Sequence, residues 1–198
     1  MLAGHCGLLS VAHAAFFGIG AYSSAILTTQ LNAPAGLALL TGIVIAAFLA
    51  AMIALTTLRL HEDYFVIGSF CFQVIITNLF NNWTSLTNGP MGIAAIPPLK
   101  IIEVFPNMTF AYLIVVVILL AIIQLISMRV IRSPFGRIMH ALREDNILPA
   151  TQGKNLLNIR LCVFILASVI AATVGSIFAH YITYIEPNSF TVMDSILI

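Results

Sequence analysis

Charge is what this sequence has least of. Only 8% of its 198 residues are Asp, Glu, Lys or Arg, while 61% are hydrophobic. A soluble domain runs at about 25% charged. A single core of this length cannot hide so much apolar surface, and the excess would aggregate in water. From Met1 to Gln30 there is no Asp, Glu, Lys or Arg at all. The start also lacks the basic stretch of a signal peptide, so it reads as a hydrophobic segment that begins abruptly. The last residues, Asp194-Ser-Ile-Leu-Ile198, read as the start of another apolar element. The chain is therefore expected to be incomplete at both ends.

Other absences narrow the chemistry. The three cysteines, Cys6, Cys71 and Cys162, are scattered, with no CxxC or Cys/His spacing. That excludes a disulfide framework and gives no metal site. There is no HExxH, no pair of aspartates and no Ser-Lys pair, which makes an intramembrane enzyme a poor reading. No GxxxxGK[ST] loop is present to cradle a nucleotide. Two Asn-x-Thr sequons, at Asn82 and Asn107, carry meaning only in a eukaryotic secretory protein.

What is present is apolar residues in blocks about 17–25 long, the length that crosses a bilayer as a helix. Five spans are expected: about Ser10 to Gln30, Ala35 to Leu58, Tyr64 to Phe80, Phe110 to Met128, and Ile159 to Tyr181. The third is short and carries Gln73 and Asn78, so it is the weakest. The runs are uniformly apolar rather than alternating, which favours helices over barrel strands. The fold class is thus all-α, a polytopic transmembrane bundle, with residues 1–198 forming one membrane domain. Six of the eight Lys and Arg fall between Arg129 and Arg160. By the positive-inside rule, the loop 129–158 is expected to be cytoplasmic. Counting back puts Arg59 and the N-terminus inside as well, and Lys100 outside.

Three stretches say more than hydropathy. The first is Gly4, Gly7, Ser10 and His13, followed by Phe17-Gly-Ile-Gly-Ala-Tyr22. Small residues three apart let another helix come close. Gly18 and Gly20 are expected to loosen the helix at mid-depth. His13 is the imidazole placed well inside a span, so it is a functional candidate or else a hydrogen-bond partner for a neighbouring helix. The second stretch, Asn81 to Pro98, holds Trp83, Gly89-Pro90 and Gly92. It is either a structured outer loop or a connector with an interfacial aromatic anchor. The third begins with Ser133 as a helix N-cap and Pro134 at the first helical position. Phe135, Ile138, Met139 and Leu142 then recur on one face, opposite Arg137, His140 and Arg143. Pro149 should break this helix and Gly153 end the segment. It is either an interfacial helix on lipid or a knob for a cytoplasmic partner.

Gly7-Leu-Leu-Ser-Val-Ala-His-Ala-Ala-Phe-Phe-Gly-Ile-Gly-Ala-Tyr22 resembles the signature of the permeases of branched-chain amino-acid ABC importers, especially the LivM-like branch. Leu58-Arg-Leu-His-Glu-Asp-Tyr-Phe65 is similar to a second element of that family, with Glu62 where glycine is usual. Asn82 to Ile93 is similar to its outer loop. Phe135-Gly-Arg137, Ala141-Leu-Arg-Glu-Asp145 and Gly153-x-Asn155 resemble its cytoplasmic coupling segment, though Pro149 departs from the usual alanine-rich stretch. Ala179-His-Tyr181 and Pro187-x-Ser-Phe190 complete the series.

The resemblance implies a permease in a bacterial inner membrane that pairs with a sister permease and two cytoplasmic ATPase subunits. A periplasmic binding protein would deliver the solute. ATP and Mg would sit on the ATPase partners, with no cofactor bound by this chain; lipid, not nucleic acid, would surround it. Phe135, Gly136, Arg137, Leu142, Arg143, Glu144, Asp145 and Gly153 would couple to the ATPase. Gly7, Ser10, His13, Phe17, Gly18, Gly20 and Tyr22 would serve the path or its helix packing, and Trp83, Gly89, Pro90 and Gly92 the outer loop. Family permeases have about eight or more spans, so five would leave this chain short. Two alternatives stay open: a urea or amide permease of the same family, and a stand-alone transporter or channel using His13. The second has little to work with, since hardly another ionisable side chain lies within the spans.

Overall fold

A computed structural model describes residues 10–58, 62–99, 108–144 and 156–190. Its elements in order are α1 (His13–Gln30), α2 (Ala35–Thr57), α3 (Glu62–Asn82), the short α4 (Thr84–Thr87), α5 (Met108–Arg132), α6 (Pro134–Glu144) and α7 (Leu156–Ile182). Single 3₁₀ turns lie at Gly89–Met91 and Pro187–Ser189. Among the described residues there is no strand, only an isolated antiparallel bridge between Ile93 and Ile185. The chain is a polytopic helical bundle.

Four helices are long and apolar enough to cross a membrane: α2, α5, α7 and the Tyr64–Asn82 part of α3. The doubtful third span is thus a full-length helix. The first expected span, α1, is not among the four. Its 18 residues rise about 27 Å, long enough to reach most of the way across, but it carries His13, Ser23, Ser24, Thr28, Thr29 and Gln30. The structure shows why these are tolerated. α1 is the most enclosed helix, with eleven of its 18 residues buried, so protein rather than lipid surrounds its polar groups.

Small side chains bring α1, α2 and α7 together. On α2 the buried residues are Ala38, Gly42, Ala46, Ala50 and Ala54, one every fourth position, while Leu40, Val44, Phe48, Met52 and Leu55 are exposed. The alanine and glycine edge faces the bundle, and the bulky edge is left for lipid. On α7 the buried set includes Ser168, Ala172, Gly175, Ser176 and Ala179. A Cβ placed on Gly20 would run into the Ala172 carbonyl, and one on Gly175 into the Phe17 carbonyl. Gly42 would meet the Ser23 hydroxyl at 2.6 Å. The α1–α7 crossing is therefore backbone against backbone, and from it both helices run the same way, since Ser24 goes on to meet His180. This corrects the expectation that Gly18 and Gly20 loosen the helix. α1 is continuous through both, because the glycines serve close approach instead.

α5 stands apart. Its only buried side chains are Ala111 and Tyr112 near its start, and its other end turns directly into α6. That bend is tight: a Cβ on Gly136 would overlap the Ile131 carbonyl. Ser133 caps α6 as the sequence predicts, its Oγ accepting the Gly136 N–H at 3.4 Å, with Pro134 first in the helix. Met139 is fully buried in the main core, and Phe135 and Ile138 pack against the same core.

Candidate functional site

Midway along α3, a single amide joins three parts of the chain. Gln73 is fully buried. Its Oε1 accepts the Ala15 N–H at 2.5 Å, and its Nε2 donates to the Phe190 carbonyl at 2.8 Å. One turn below, Ser69 Oγ accepts the Val11 N–H at 3.1 Å. The first turn of α1 has no cap from its own sequence, since Ala12 holds the N-cap position. Two side chains of α3, four residues apart, supply acceptors at that end instead. α1 therefore begins level with the middle of α3, about 16 Å along that helix from Glu62 at 1.5 Å per residue.

Phe190 reaches the same depth from the opposite direction. After α7 ends, residues 183–190 turn back. Ile93 N–H donates to the Ile185 carbonyl (2.9 Å), Ile185 N–H to Ile93 (3.0 Å), and Ile96 N–H to Thr183 (3.1 Å). The segment then dips until the Phe190 ring lies 5.7 Å from that of Phe17 and 5.8 Å from that of Tyr22. Tyr22 stacks on Phe80 at 4.2 Å. Gly18 makes room for both: a Cβ there would sit 2.9 Å from the Phe80 ring and 3.2 Å from that of Phe190. Non-helical backbone at this depth is tolerated only where it is enclosed by protein or lines a wet path. The Tyr22 hydroxyl is buried and has no hydrogen-bond partner among the described residues.

A second junction lies toward the ends of α1 and α7. His180, 1% exposed, has Nδ1 2.7 Å from the Pro97 carbonyl and Nε2 2.9 Å from the Ser24 hydroxyl. The carbonyl only accepts, so Nδ1 carries a proton and donates. Tyr112 Oη donates to the His180 carbonyl at 2.6 Å. One residue thus ties α1, α5, α7 and the segment after α4. Substituting His180 by alanine should strand the Pro97 carbonyl and the Ser24 hydroxyl, a local cost of about 2 kcal/mol. The Ile96 amide should then exchange its hydrogen roughly 30-fold faster by mass spectrometry or NMR. An unchanged rate would show that this junction does not hold the segment.

The sequence-derived candidates divide accordingly. Phe17, Gly18 and Tyr22 come together with Phe80 and Phe190, whereas Gly20 faces away, into α7. Ser10 precedes α1, and His13 is its first residue, half-buried, its Nδ1 3.3 Å from the Ser10 carbonyl. His180, not His13, is the fully enclosed imidazole. The loop after α3 is structured rather than a slack connector. Gly89 and Gly92 take positive φ of 57° and 67°, and a side chain on Gly92 would strike the Ile185 carbonyl. Trp83 and Pro90 are exposed beside them. Arg137 is exposed on α6, and Phe135 and Gly136 face the bundle. Leu142, Arg143 and Glu144 continue that helix. Gly7, Asp145 and Gly153 lie outside the described residues, as does Pro149. Among the described residues no cluster of metal-ligating side chains occurs.

Comparison with known proteins adds a family. The model of the branched-chain amino acid transport system permease component matches residues 1–198. The high-affinity branched-chain amino acid transport system permease protein LivM of Escherichia coli K12 is 30% identical over 222 aligned positions, covering 98% of this chain and 51% of the relative. Its counterpart in Salmonella typhimurium LT2 is 29% identical with the same coverage. A probable branched-chain amino acid transport permease LivM of Methanocaldococcus jannaschii is 24% identical over 80% of this chain and 46% of its own length. The chain spans about half the length of the curated relatives it matches. No solved structure matches it.

Proposed function

We propose, since the chain belongs to the branched-chain amino acid transport system permease component family, that it is the membrane subunit of an ATP-driven importer for branched-chain or related amino acids. It would work beside a sister permease in a bacterial inner membrane. Two cytoplasmic ATPase subunits would drive it, holding ATP and Mg themselves, and a periplasmic binding protein would supply solute. On this reading the N-terminus and residues 129–158 face the cytoplasm, where six of the eight basic residues fall. The loop from Trp83 through Gly92 faces the binding protein.

The observation that carries the reading is α6. It is a capped helix set at a fixed bend from α5, seated on the bundle through Met139 and presenting Arg137 outward. A helix mounted this way transmits a push on its exposed side to the membrane helices as a rigid-body shift. Arg137, Arg143, Glu144 and Asp145 would supply the polar docking contacts, with Gly153 closing the segment.

The test is purification of the tagged chain from its native cells in mild detergent, followed by an ATPase assay. Two ATPase subunits and a second permease should co-purify, and replacing Arg137 and Arg143 by glutamate should reduce their recovery at least tenfold, as for opposed charges at an interface (about 1.4 kcal/mol or more). A monomer or homo-oligomer that moves solute in liposomes without ATP would overturn the reading.

A further inference from the structure

Phe190 is held at mid-depth by contacts of two kinds. Its carbonyl oxygen takes the Gln73 Nε2–H at 2.8 Å and the Thr77 hydroxyl at 3.4 Å. Its ring lies against Phe17 and Tyr22 and over the open side of Gly18. An oxygen on polar donors with an apolar side chain on an aromatic wall is the arrangement a free apolar amino acid would need. We infer that Phe190 is a built-in stand-in for the transported solute, and that the space it fills between α1 and α3 is a binding site for an amino acid with an apolar side chain. This rests on the importer reading and assigns its solute a place.

Three observations carry it beyond ordinary packing. First, the Tyr22 hydroxyl is buried, with Tyr22 only 2% exposed, and has no partner among the described residues. Buried hydroxyls are nearly always paired, and phenylalanine would fill the same space without the cost. The hydroxyl is accounted for if it serves an occupant other than Phe190. Secondly, residues 183–190 form a strap with no α-helix in it, joined to residues 93–96 by three backbone hydrogen bonds. Withdrawing it breaks a few bonds and unravels no helix. Thirdly, the vacated space suits the class of solute. A branched aliphatic side chain is smaller than a benzyl group, and the Phe17, Tyr22 and Phe80 rings offer nothing to a charged one. Gln73 and Thr77 would turn their donors to the solute carboxylate, and Tyr22 would add a third.

The test uses the full chain in native membranes, with Cys6, Cys71 and Cys162 replaced by serine and Thr77 by cysteine. With Phe190 in place a membrane-impermeant maleimide should label position 77 slowly. Phe190→Ala should speed labelling about tenfold. In that background leucine should slow the labelling and glutamate should not. Adding Tyr22→Phe should raise the half-protecting leucine concentration about tenfold, as for one lost hydrogen bond to a solute, while the melting temperature holds or rises. A purely structural Tyr22 would move neither. Equal labelling with and without the Phe190 ring, or no protection by leucine while cells still import leucine through the unsubstituted chain, would overturn the inference and leave the importer reading standing. Cells that depend on the unsubstituted chain and take up no leucine would remove both.

Discussion

Valine at Gly20 should leave almost no folded protein. A Cβ at this position would fall on the backbone of Ala172, and the same glycine lies close to Gly42 on the other side. α1 is thus clamped between two helices, and neither can yield as the end of a flexible side chain would. Overpacking a well-filled site costs about 1–3 kcal/mol, occasionally more. A β-branched group against backbone belongs at or above the top of that range, a large share of the 5–15 kcal/mol that typically holds a fold together. Size-exclusion profiles and melting curves in detergent read the effect directly. Gly36→Ala is the control, since nothing lies within 4 Å of a Cβ there. It should leave the melting temperature unchanged or slightly raised, by up to about 1 kcal/mol. If the valine variant is monodisperse and melts like the parent, α1 and α7 do not meet as described.

Gln73→Leu should be the next most damaging change. It strands the Ala15 N–H and the Phe190 carbonyl, two buried backbone groups, at about 1–3 kcal/mol each. A drop of about 3 kcal/mol corresponds to roughly 6–12 °C in a chain of this size. Gln73→Glu separates the two arms. It keeps an acceptor for Ala15 N–H but sets oxygen against the Phe190 carbonyl oxygen. It should therefore loosen the strap at residues 183–190 while α1 stays anchored, which hydrogen exchange at Ala15 and Ile185 would resolve. Equal exchange changes at both positions would show that the amide does not act as two separate links.

How much of this was legible in the sequence follows from how local each feature is. The cap on α6 could be read from Ser133-Pro134, because its hydrogen bonds close within three residues. The spans could be read because lipid demands long apolar runs. α3 looked doubtful for the converse reason. Hydropathy penalises Gln73 without knowing that residues 58 and 117 positions away would satisfy its amide. Gly18 and Gly20 admitted two meanings, a loosened turn or a close approach, and only the positions of Ala172, Phe80 and Phe190 decide between them. His180 was visible as one residue of a motif, Ala179-His-Tyr181, while attention fell on His13 because it sits in a glycine-rich run. The alanine edge of α2 had a readable four-residue period, and a search for small residues at that spacing would have found it. Phe190 had no such signal, because its meaning depends wholly on what it touches.

The place of α1 at the centre of the bundle bears on how the chain is made. Its main partner, α7, begins at Leu156, so 125 residues separate the end of one from the start of the other. A ribosome adding about 5–20 residues per second needs roughly 6–25 s to span that gap. Throughout that interval the least apolar long helix of the protein is already synthesised while the surface that will cover its serines and threonines does not yet exist. α2 can shield only one side. The insertion machinery, or a chaperone beside it, must hold α1 until α7 arrives, so the yield of this protein in a cell should depend on the pace of translation between Leu31 and Asn155.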